Sequence, residues 1–322
     1  MTDLKKCKVL VTPTSYGKSD PRLFSDLENQ VGEVVYNKTG RPLTSAEVRE
    51  MVKDCDAYLA GLDSIDRSAI ESANKLKVIS RYGVGFDNVD LVAAKEKGII
   101  VTYTPGANSI SVAELTIALI LALARNIPEA TSATRKGEWP RQNGITLEGK
   151  CIGLVGFGAI GKAVGKRLKA FDMRVLAYDP FPDKDFAAKY DIEITTLDLT
   201  LKNADFISLH LPLLPETRDI VNSSFLKKMK KDSYIVNTSR GELITGSDLI
   251  AAIEQGILRG AALDVFSKEP PGADNPLLQN PNVIVTPHCA AHTDGSTNTM
   301  GWMALNDCLA VLIGNDPKFR VV

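Results

Sequence analysis

Three polar side chains in the last third of the chain, Arg240, Glu269 and His288, have the chemistry of an acid–base site that binds an anion. The sequence has only two other histidines, His210 and His292, and histidine is the side chain that most often exchanges protons near neutral pH. A carboxylate such as Glu269 would fix one ring nitrogen of His288, and the planar guanidinium of Arg240 would bind a carboxylate through two hydrogen bonds. Beside a nicotinamide, such a set suits hydride transfer at C2 of a 2-hydroxy acid and proton transfer at its oxygen.

A glycine pattern in the middle of the chain predicts a dinucleotide-binding loop. Gly156, Gly158 and Gly161 follow an apolar strand with the spacing GxGxxG, and a helix is predicted from Lys162 onward, to about residue 171. Asp179 ends the next apolar strand, 18 residues after Gly161, where a carboxylate binds ribose hydroxyls and repels a 2′-phosphate. Amide groups at the N-terminus of the helix would bind the pyrophosphate. The pattern predicts NAD, rather than NADP, as the cofactor.

The elements that must position these residues are short apolar runs that alternate with helical patterns, as in parallel sheets with crossover helices. In the first part of the chain, strands are predicted at Lys8–Val11, Glu33–Tyr36, Ala57–Ala60, Val78–Ser80 and Ile99–Thr102. In the second part they are predicted at Cys151–Val155, Arg174–Tyr178, Phe206–His210, Tyr234–Asn237, Gly260–Val265 and Val283–Thr286. Helices are predicted between most of these strands, for example at Ser45–Lys53 and Leu91–Lys97.

Polar residues stand at or just beyond the carboxyl ends of most strands in the second part. They are Asp179, His210, Asn237–Gly241, Asp264 and Thr286–His288. Ligands of open α/β sheets bind outside the carboxyl ends of the strands. Any one of these residues could be a helix cap or a surface charge, but the whole row predicts a ligand site at this edge.

The stretch that joins the two parts is unusually apolar. From Ser111 to about Arg125 it is predicted to be a helix, with Ser111 and Glu114 at the spacing of a capping box. Because this helix is apolar on nearly all sides, it must be buried inside the chain or against a partner chain. Residues 135–149 are polar and contain several glycines, and we interpret them as a loop or arm.

Length and composition limit the class of protein. The chain has 322 residues, which suggests two domains, and its 44% hydrophobic and 24% charged residues are ordinary for a globular protein. A net charge of −1 provides no field for binding nucleic acid or an anionic membrane, and no apolar run is long enough for a signal peptide or a membrane span. Five scattered cysteines predict no disulfide framework and fit the reducing cytoplasm. No metal site is expected, because the His288 and His292 pair lacks an HExxH pattern.

Several motifs together resemble the D-isomer-specific 2-hydroxyacid dehydrogenase family over nearly the whole chain. They are Arg81–Asp90, Ser111–Glu114, the glycine loop with Asp179, His210–Pro212, Asn237–Gly241, Leu263–Pro270 and Thr286–His288. The resemblance implies an α/β fold in which a Rossmann-type NAD-binding domain, residues 104–292, is inserted into a flavodoxin-like parallel-sheet substrate domain, residues 1–103 and 293–322. It also implies an NAD-dependent D-2-hydroxyacid dehydrogenase with its active site in the cleft between the domains.

The resemblance assigns roles to the residues that match the family's motifs. Arg240, Glu269 and His288 match the catalytic residues. The cofactor contacts would be Gly156, Gly158, Ala159, Ile160, Gly161, Asp179, His210, Thr238 and Asp264. Arg81 and the backbone amides of Val84 and Gly85 would bind the 2-hydroxy or 2-oxo acid. A homodimer would form around the helix near 111–125 and the arm near 135–149.

Within the family, the motifs look most like those of enzymes that interconvert 3-phospho-D-glycerate and 3-phosphohydroxypyruvate in serine biosynthesis. Phosphate recognition needs at least two cations, and Arg81 is one candidate. The stretch Ala60–Asp63, where another is expected, is neutral and then acidic, so Arg135, Lys136 or Arg141 of a partner chain would have to serve. The alternatives are a glyoxylate or hydroxypyruvate reductase, another D-2-hydroxyacid dehydrogenase, or a nucleotide-sensing protein of the corepressor kind.

Overall fold

The computed structural model of the protein describes residues 3–322, which divide into two compact units. One unit contains the described residues up to Asn108 together with Ala291–Val322, and the other contains Ser109–Ala290. Each unit is built on one parallel β-sheet with apolar clusters on both faces. The predicted α/β class is therefore confirmed.

The bounds of the elements are as follows. The strands are β1 (Lys8–Val11), β2 (Glu33–Tyr36), β3 (Ala57–Ala60), β4 (Val78–Arg81), β5 (Ile100–Thr102), β6 (Cys151–Val155), β7 (Arg174–Tyr178), β8 (Glu193–Ile194), β9 (Phe206–Leu209), β10 (Ser233–Asn237), β11 (Leu258–Leu263) and β12 (Val283–Val285). The α-helices are α1 (Arg22–Gln30), α2 (Ser45–Val52), α3 (Arg67–Ser72), α4 (Leu91–Glu96), α5 (Ser109–Arg125), α6 (Ile127–Arg135), α7 (Ala159–Leu168), α8 (Lys184–Lys189), α9 (Leu197–Asn203), α10 (Ser223–Lys228), α11 (Gly246–Glu254), α12 (Pro276–Gln279) and α13 (Asp294–Leu312).

The first unit contains a five-stranded sheet in the order β2-β1-β3-β4-β5, with every pair parallel. Side chains alternate between its faces, since Leu10 of β1 packs into one apolar cluster while Val9 and Val11 pack into another. α13, from the end of the chain, packs against β3, β4 and β5. This strand order is the flavodoxin-like order.

The second unit contains a seven-stranded parallel sheet in the order β12-β11-β10-β9-β6-β7-β8. The order reverses at β6, which lies between β9 and β7, so this is the switch point at which Rossmann folds bind dinucleotides. Every residue of β6 is buried, as expected for a strand covered on both faces. All six predicted strands of this part are present, and β8, with two residues, is an additional one.

Three helices differ from the prediction by two residues or more. α5 begins two residues before Ser111, so the Ser111 side chain lies in the first turn and not at the N-cap. α6 was not predicted at all. It forms because Asn126, with a left-handed φ of 52°, ends α5, and Pro128 stands in the first turn of a new helix. α7 begins directly after Gly158, three residues before Lys162, because the chain becomes helical as soon as the glycine turn ends.

α5 is the apolar helix of the second unit, and ten of its 17 residues are buried. It packs mainly against α7 and also against β10 and β11. Among the described residues, no single helix is long and apolar enough to cross a membrane, and only α5 and α6 taken together, with a 63° bend between them, reach that length and composition.

Candidate active site

The loop between β6 and α7 has the backbone that a dinucleotide needs. Gly156 has a φ of 100°, and a Cβ there would lie 2.4 Å from the carbonyl oxygen of His210. A Cβ on Gly161 would lie 2.3 Å from the Gly156 oxygen, so only glycine lets the helix start this close to the strand. Gly158 has nothing within 4 Å of an added Cβ and caps α7 with no side chain. The first N–H groups of α7 are therefore available to pyrophosphate oxygens.

Asp179 directly follows β7 and is held beside the glycine loop. Its Oδ2 accepts the N–H of Phe157 at 2.7 Å, and its Oδ1 accepts the N–H of Phe181 at 2.8 Å. These bonds orient the carboxylate, and each oxygen keeps a lone pair for a ribose hydroxyl. A negative charge in this position disfavours a 2′-phosphate, so the residues present fit NAD.

His210 lies under the glycine loop, and it is the His210 backbone that contacts Gly156. The His210 Nε2 atom is 3.0 Å from the Ser208 hydroxyl, and Nδ1 is buried with no hydrogen-bond partner among the described residues. Burial lowers the pKa of His210 to about 3, so the ring is neutral at physiological pH. The geometry gives this residue a part in shaping the loop.

Glu269 and His288 are brought together by the loops that follow β11 and β12. Glu269 Oε2 lies 2.6 Å from His288 Nδ1, and Glu269 Oε1 accepts the N–H of Phe266 at 2.9 Å. Burial opposes ionisation of Glu269, but the His288 and Phe266 bonds and the Arg240 charge outweigh it and hold the pKa of Glu269 below its ordinary value. The carboxylate therefore accepts the Nδ1–H, which leaves Nε2 as the ring atom that can exchange a proton with a bound molecule.

Arg240 stands on a turn that Asn237, the last residue of β10, fixes in place. The Asn237 amide donates to the carbonyl oxygen of Arg240 at 2.8 Å. Gly241 packs directly on the next loop, because a Cβ there would lie 2.0 Å from the carbonyl carbon of Phe266. This contact places the Arg240 turn beside the loop that carries Glu269. The sequence analysis did not predict the contact of Gly241 with Phe266 or the hydrogen bond from the Phe266 N–H to Glu269. The glycine that follows Arg240 is the only sequence signal for them.

Asp264 directly follows β11 and is completely buried. Its carboxylate accepts hydrogen bonds from the Thr286 hydroxyl at 2.6 Å and from the N–H groups of Cys289 and Ala290, both at 3.0 Å. The Asp264 carbonyl oxygen accepts the His288 N–H at 2.8 Å. These bonds surround His288, whose left-handed φ of 49° costs a residue with a Cβ about 1–2 kcal/mol. The sequence predicted Asp264 as a cofactor contact, and its hold on the His288 segment was missed because these partners are 22 to 26 residues away.

Thr238, another predicted cofactor contact, is tied to α5 through its side chain. Its hydroxyl lies 2.9 Å from the hydroxyl of Thr116, and Thr116 donates to the carbonyl oxygen of Val112 at 2.8 Å. Because the Thr116 proton is used in that bond, Thr238 is the donor to Thr116. The side chain is thereby fixed and almost fully buried.

The predicted substrate contacts Arg81, Val84 and Gly85 lie in the first unit, at the carboxyl end of β4. Arg81 is 2% exposed, and its guanidinium donates to the carbonyl oxygens of Ala60 at 2.7 Å and Gly85 at 3.1 Å. The N–H groups of Val84 and Gly85 donate to no other residue within 3–322. Arg81 thus braces a turn whose two consecutive amides are available to an anion.

The fold and the site define a dinucleotide-binding α/β protein with an acid–base pair and an arginine at one edge of its sheet. Residues 117–290 match the model of the D-isomer specific 2-hydroxyacid dehydrogenase, NAD binding domain. The chain belongs to the D-isomer specific 2-hydroxyacid dehydrogenase family, and its cofactor is NAD.

Similar proteins of this family carry different names. The chain is 47% identical over 289 residues to the D-3-phosphoglycerate dehydrogenase of Methanocaldococcus jannaschii, covering 88% of this chain and 54% of that protein. It is 41% identical over 296 residues to the glyoxylate reductase of Thermofilum pendens, covering 89% and 87%. The apo structure of D-lactate dehydrogenase from Escherichia coli matches with a TM-score of 0.84 at 30% identity, covering 98% of this chain and 100% of that one. The chain thus spans about half the length of the M. jannaschii protein.

Proposed function

We propose that this protein is an NAD-dependent oxidoreductase that interconverts a D-2-hydroxy acid and its 2-oxo acid. The observation that carries the proposal is the 2.6 Å contact between Glu269 Oε2 and His288 Nδ1, with the Arg240 charge near enough to lower the pKa of Glu269. An imidazole oriented by a carboxylate can act as a general acid and base, and a guanidinium can bind a substrate carboxylate. Membership of the family supports the same reaction.

Each of the three side chains has one task in the reduction of a 2-oxo acid. Bound NADH supplies the hydride that C2 of the substrate accepts. His288 donates the proton on Nε2 to the carbonyl oxygen, so the product is a neutral alcohol and not an alkoxide. Glu269 accepts the Nδ1–H and stabilises the protonated ring, while Arg240 binds the carboxylate and polarises the carbonyl. In the oxidation of a 2-hydroxy acid, the same proton returns to Nε2.

In each unit, the residues proposed to bind a ligand lie at or just beyond the carboxyl ends of the strands. We propose that the dinucleotide contacts Gly156, Gly158, Ala159, Ile160, Gly161, Asp179, Thr238 and Asp264, with His210 supporting the loop from below. In the first unit, the amides of Val84 and Gly85 would bind the substrate carboxylate, and Arg81 would keep their turn in shape. Two observations support this proposal. No side chain caps α7, and the amides of Val84 and Gly85 donate to no acceptor in the described part of the chain.

An assay of NADH oxidation tests the reaction, with 3-phosphohydroxypyruvate, hydroxypyruvate, glyoxylate and pyruvate as substrates and NADPH in parallel. His288→Ala should lose turnover by a factor of about 10² to 10⁴ while the Kd for NADH stays unchanged. Glu193→Gln is the control for loss of a carboxylate, because Glu193 pairs with Arg174 on the surface, and it should keep full activity. Loss of NADH binding equal to the loss of turnover in His288→Ala would refute the proposed role.

Two substrate classes are candidates, and each has support. Similarity to the D-3-phosphoglycerate dehydrogenase of M. jannaschii supports 3-phospho-D-glycerate and a place in serine biosynthesis. Similarity to the glyoxylate reductase of T. pendens, matched over most of both chains, supports a smaller acid without a phosphate. The four substrates of the assay separate these classes.

We also propose that the protein is a cytoplasmic homodimer. Three of the exposed large apolar side chains belong to α5, α6 and the loop that follows, where Ile110, Ile127 and Trp139 are 51%, 52% and 76% exposed. All five cysteines are unpaired, as in reducing compartments. Light scattering after size exclusion would test the dimer, and a monomer at micromolar concentration would contradict it.

A further inference from the structure

Three residues stand side by side at the carboxyl edge of the seven-stranded sheet. β9, β10 and β11 are adjacent parallel strands, and the register pairs their last residues with one another. The residues that come next are His210, Thr238 and Asp264, and neighbouring strands lie about 4.8 Å apart. His210 packs its backbone against the glycine loop, and Asp264 accepts the N–H of His288 through its carbonyl oxygen. Thr238 thus lies between the glycine loop and the His288 segment.

A helix holds the Thr238 side chain in one orientation. The Thr238 hydroxyl lies 2.9 Å from the hydroxyl of Thr116 on α5, and both side chains are buried. Thr116 donates its own proton to the carbonyl oxygen of Val112, one helical turn earlier, at 2.8 Å. The Thr116 oxygen can therefore only accept, and the Thr238 proton is directed at it. Thr238 consequently presents only lone pairs to a bound molecule.

We propose that Thr116 is a positioning residue for the cofactor and acts through the Thr238 hydroxyl. The inference rests on the proposed function, in which the dinucleotide contacts Thr238 on its way from the glycine loop to His288. A hydroxyl without a fixed partner rotates and presents either its proton or its lone pairs. The bond to Thr116 fixes this choice before the cofactor binds, so binding carries no cost for ordering the side chain. Thr116 has no exposed surface and does this without touching the dinucleotide.

Thr200 provides a matched comparison within the same unit. It is also completely buried in a helix, α9, and its hydroxyl donates to the carbonyl oxygen of Thr196, four residues earlier, at 2.9 Å. The two threonines thus make the same bond within their helices. Only Thr116 also accepts a bond from a residue that is proposed to contact the cofactor. Valine in place of either threonine keeps the shape of the side chain and removes the hydroxyl.

The test is a double-mutant cycle on the Kd of NADH, measured by calorimetry with the whole chain. Thr116→Val and Thr238→Val should each raise the Kd about two- to tenfold, the effect of one hydrogen bond. Because Thr116 acts through Thr238, Thr116→Val should add little in a protein that already carries Thr238→Val. Thr116→Ser keeps the hydroxyl and should restore most of the affinity.

Thr200→Val is the control for the loss of a buried hydroxyl from a helix. It should lower the Tm about as much as Thr116→Val and leave the Kd of NADH unchanged. If Thr116→Val does not fold, Thr116→Ala removes the same hydroxyl and takes its place in the cycle.

Three results would overturn the inference and leave the proposed function standing. They are a wild-type Kd in Thr116→Val, the same factor for Thr116→Val with and without Thr238→Val, and a Thr116→Ser variant as weak as Thr116→Val. A wild-type Kd in Thr238→Val would refute the proposed contact of Thr238 and the inference with it. If NADH binds but none of the four 2-oxo acids oxidises it, the proposed reaction fails, while the Kd values still decide the role of Thr116.

Discussion

Replacement of Asp264 by asparagine tests whether a buried carboxylate positions His288. In the structure, the two carboxylate oxygens accept bonds from the Thr286 hydroxyl and from the amides of Cys289 and Ala290. Asparagine has the same shape but only one oxygen, so its NH₂ group must face one of those donors. The variant removes a charge and one acceptor while it leaves the packing volume almost unchanged.

The size of the effect follows from this geometry. A buried donor left without an acceptor costs about 1–3 kcal/mol, and each kcal/mol lowers the Tm of a domain of this size by about 2–4 °C. The left-handed backbone of His288 is itself unfavourable. Loss of a hydrogen bond to Asp264 therefore allows the segment around His288 to relax. A displacement of about 1 Å of a reacting group reduces the rate about a hundredfold. We therefore expect kcat to fall about a hundredfold in Asp264→Asn.

The assay measures kcat, the KM of the 2-oxo acid, the Kd of NADH and the Tm of the same preparation. A positioning role predicts a loss of kcat that is much larger than any change in the Kd of NADH. Asp205→Asn is the control, because Asp205 also accepts a backbone N–H, that of Cys151 at 2.8 Å, but at the start of β6. It should lower the Tm and leave kcat unchanged.

Two results would refute this reasoning about Asp264. A weaker Kd for NADH with an unchanged kcat would show that the carboxylate serves the cofactor and not the His288 segment. Equal losses of kcat in Asp264→Asn and Asp205→Asn would show that the effect is a general consequence of lower stability.

Two further predictions concern Asp179 and His210. Asp179→Ser removes the charge that opposes a 2′-phosphate, so the ratio of kcat/KM for NADH over NADPH should fall about tenfold, and an unchanged ratio would mean that discrimination lies elsewhere. Burial lowers the pKa of His210 to about 3, so below pH 6.5 the unfolded chain binds a proton that the folded protein does not. The free energy of unfolding should therefore decrease by up to about 1.4 kcal/mol per pH unit between pH 6.5 and 5. Denaturant titrations of His210→Asn at several pH values should show a smaller decrease in the free energy of unfolding between pH 6.5 and 5. The same decrease in the wild type and the variant would contradict the assignment to His210.

Features with a local signal were predictable from the sequence. The strands were found within a residue or two because each is a short apolar run between polar turns, as β6 shows. The glycine loop and Asp179 could be placed because the GxGxxG spacing directly follows an apolar strand, although the close approach at Gly156 is to the distant residue His210. β8 was missed because two residues are too few to form a pattern, and α6 because the left-handed turn at Asn126 has no strong sequence signal.

Features that depend on distant partners could not be predicted. Arg81 is predicted to bind substrate from its place at the end of a strand, and its hydrogen bonds to the carbonyls of Ala60 and Gly85 could not be predicted from that place. The pattern is the same whether such an arginine faces a ligand or a neighbouring strand. In the same way, nothing in the residues around Asp264 indicates that its acceptors serve an amide at Ala290, 26 residues later.

In both units, a buried aspartate accepts hydrogen bonds at the carboxyl ends of the strands. Parallel strands end in turns whose N–H groups have no partner in the sheet, and an anion is the natural acceptor for them. Asp63 and Asp264 supply that anion from the protein itself, and both are completely buried with at least three donors each. A buried charge is stable only when it is hydrogen-bonded in this way. Each carboxylate therefore fixes the turn around it, and the amides that these carboxylates do not reach, at the start of α7 and at Val84 and Gly85, are those that we propose to bind anionic ligands.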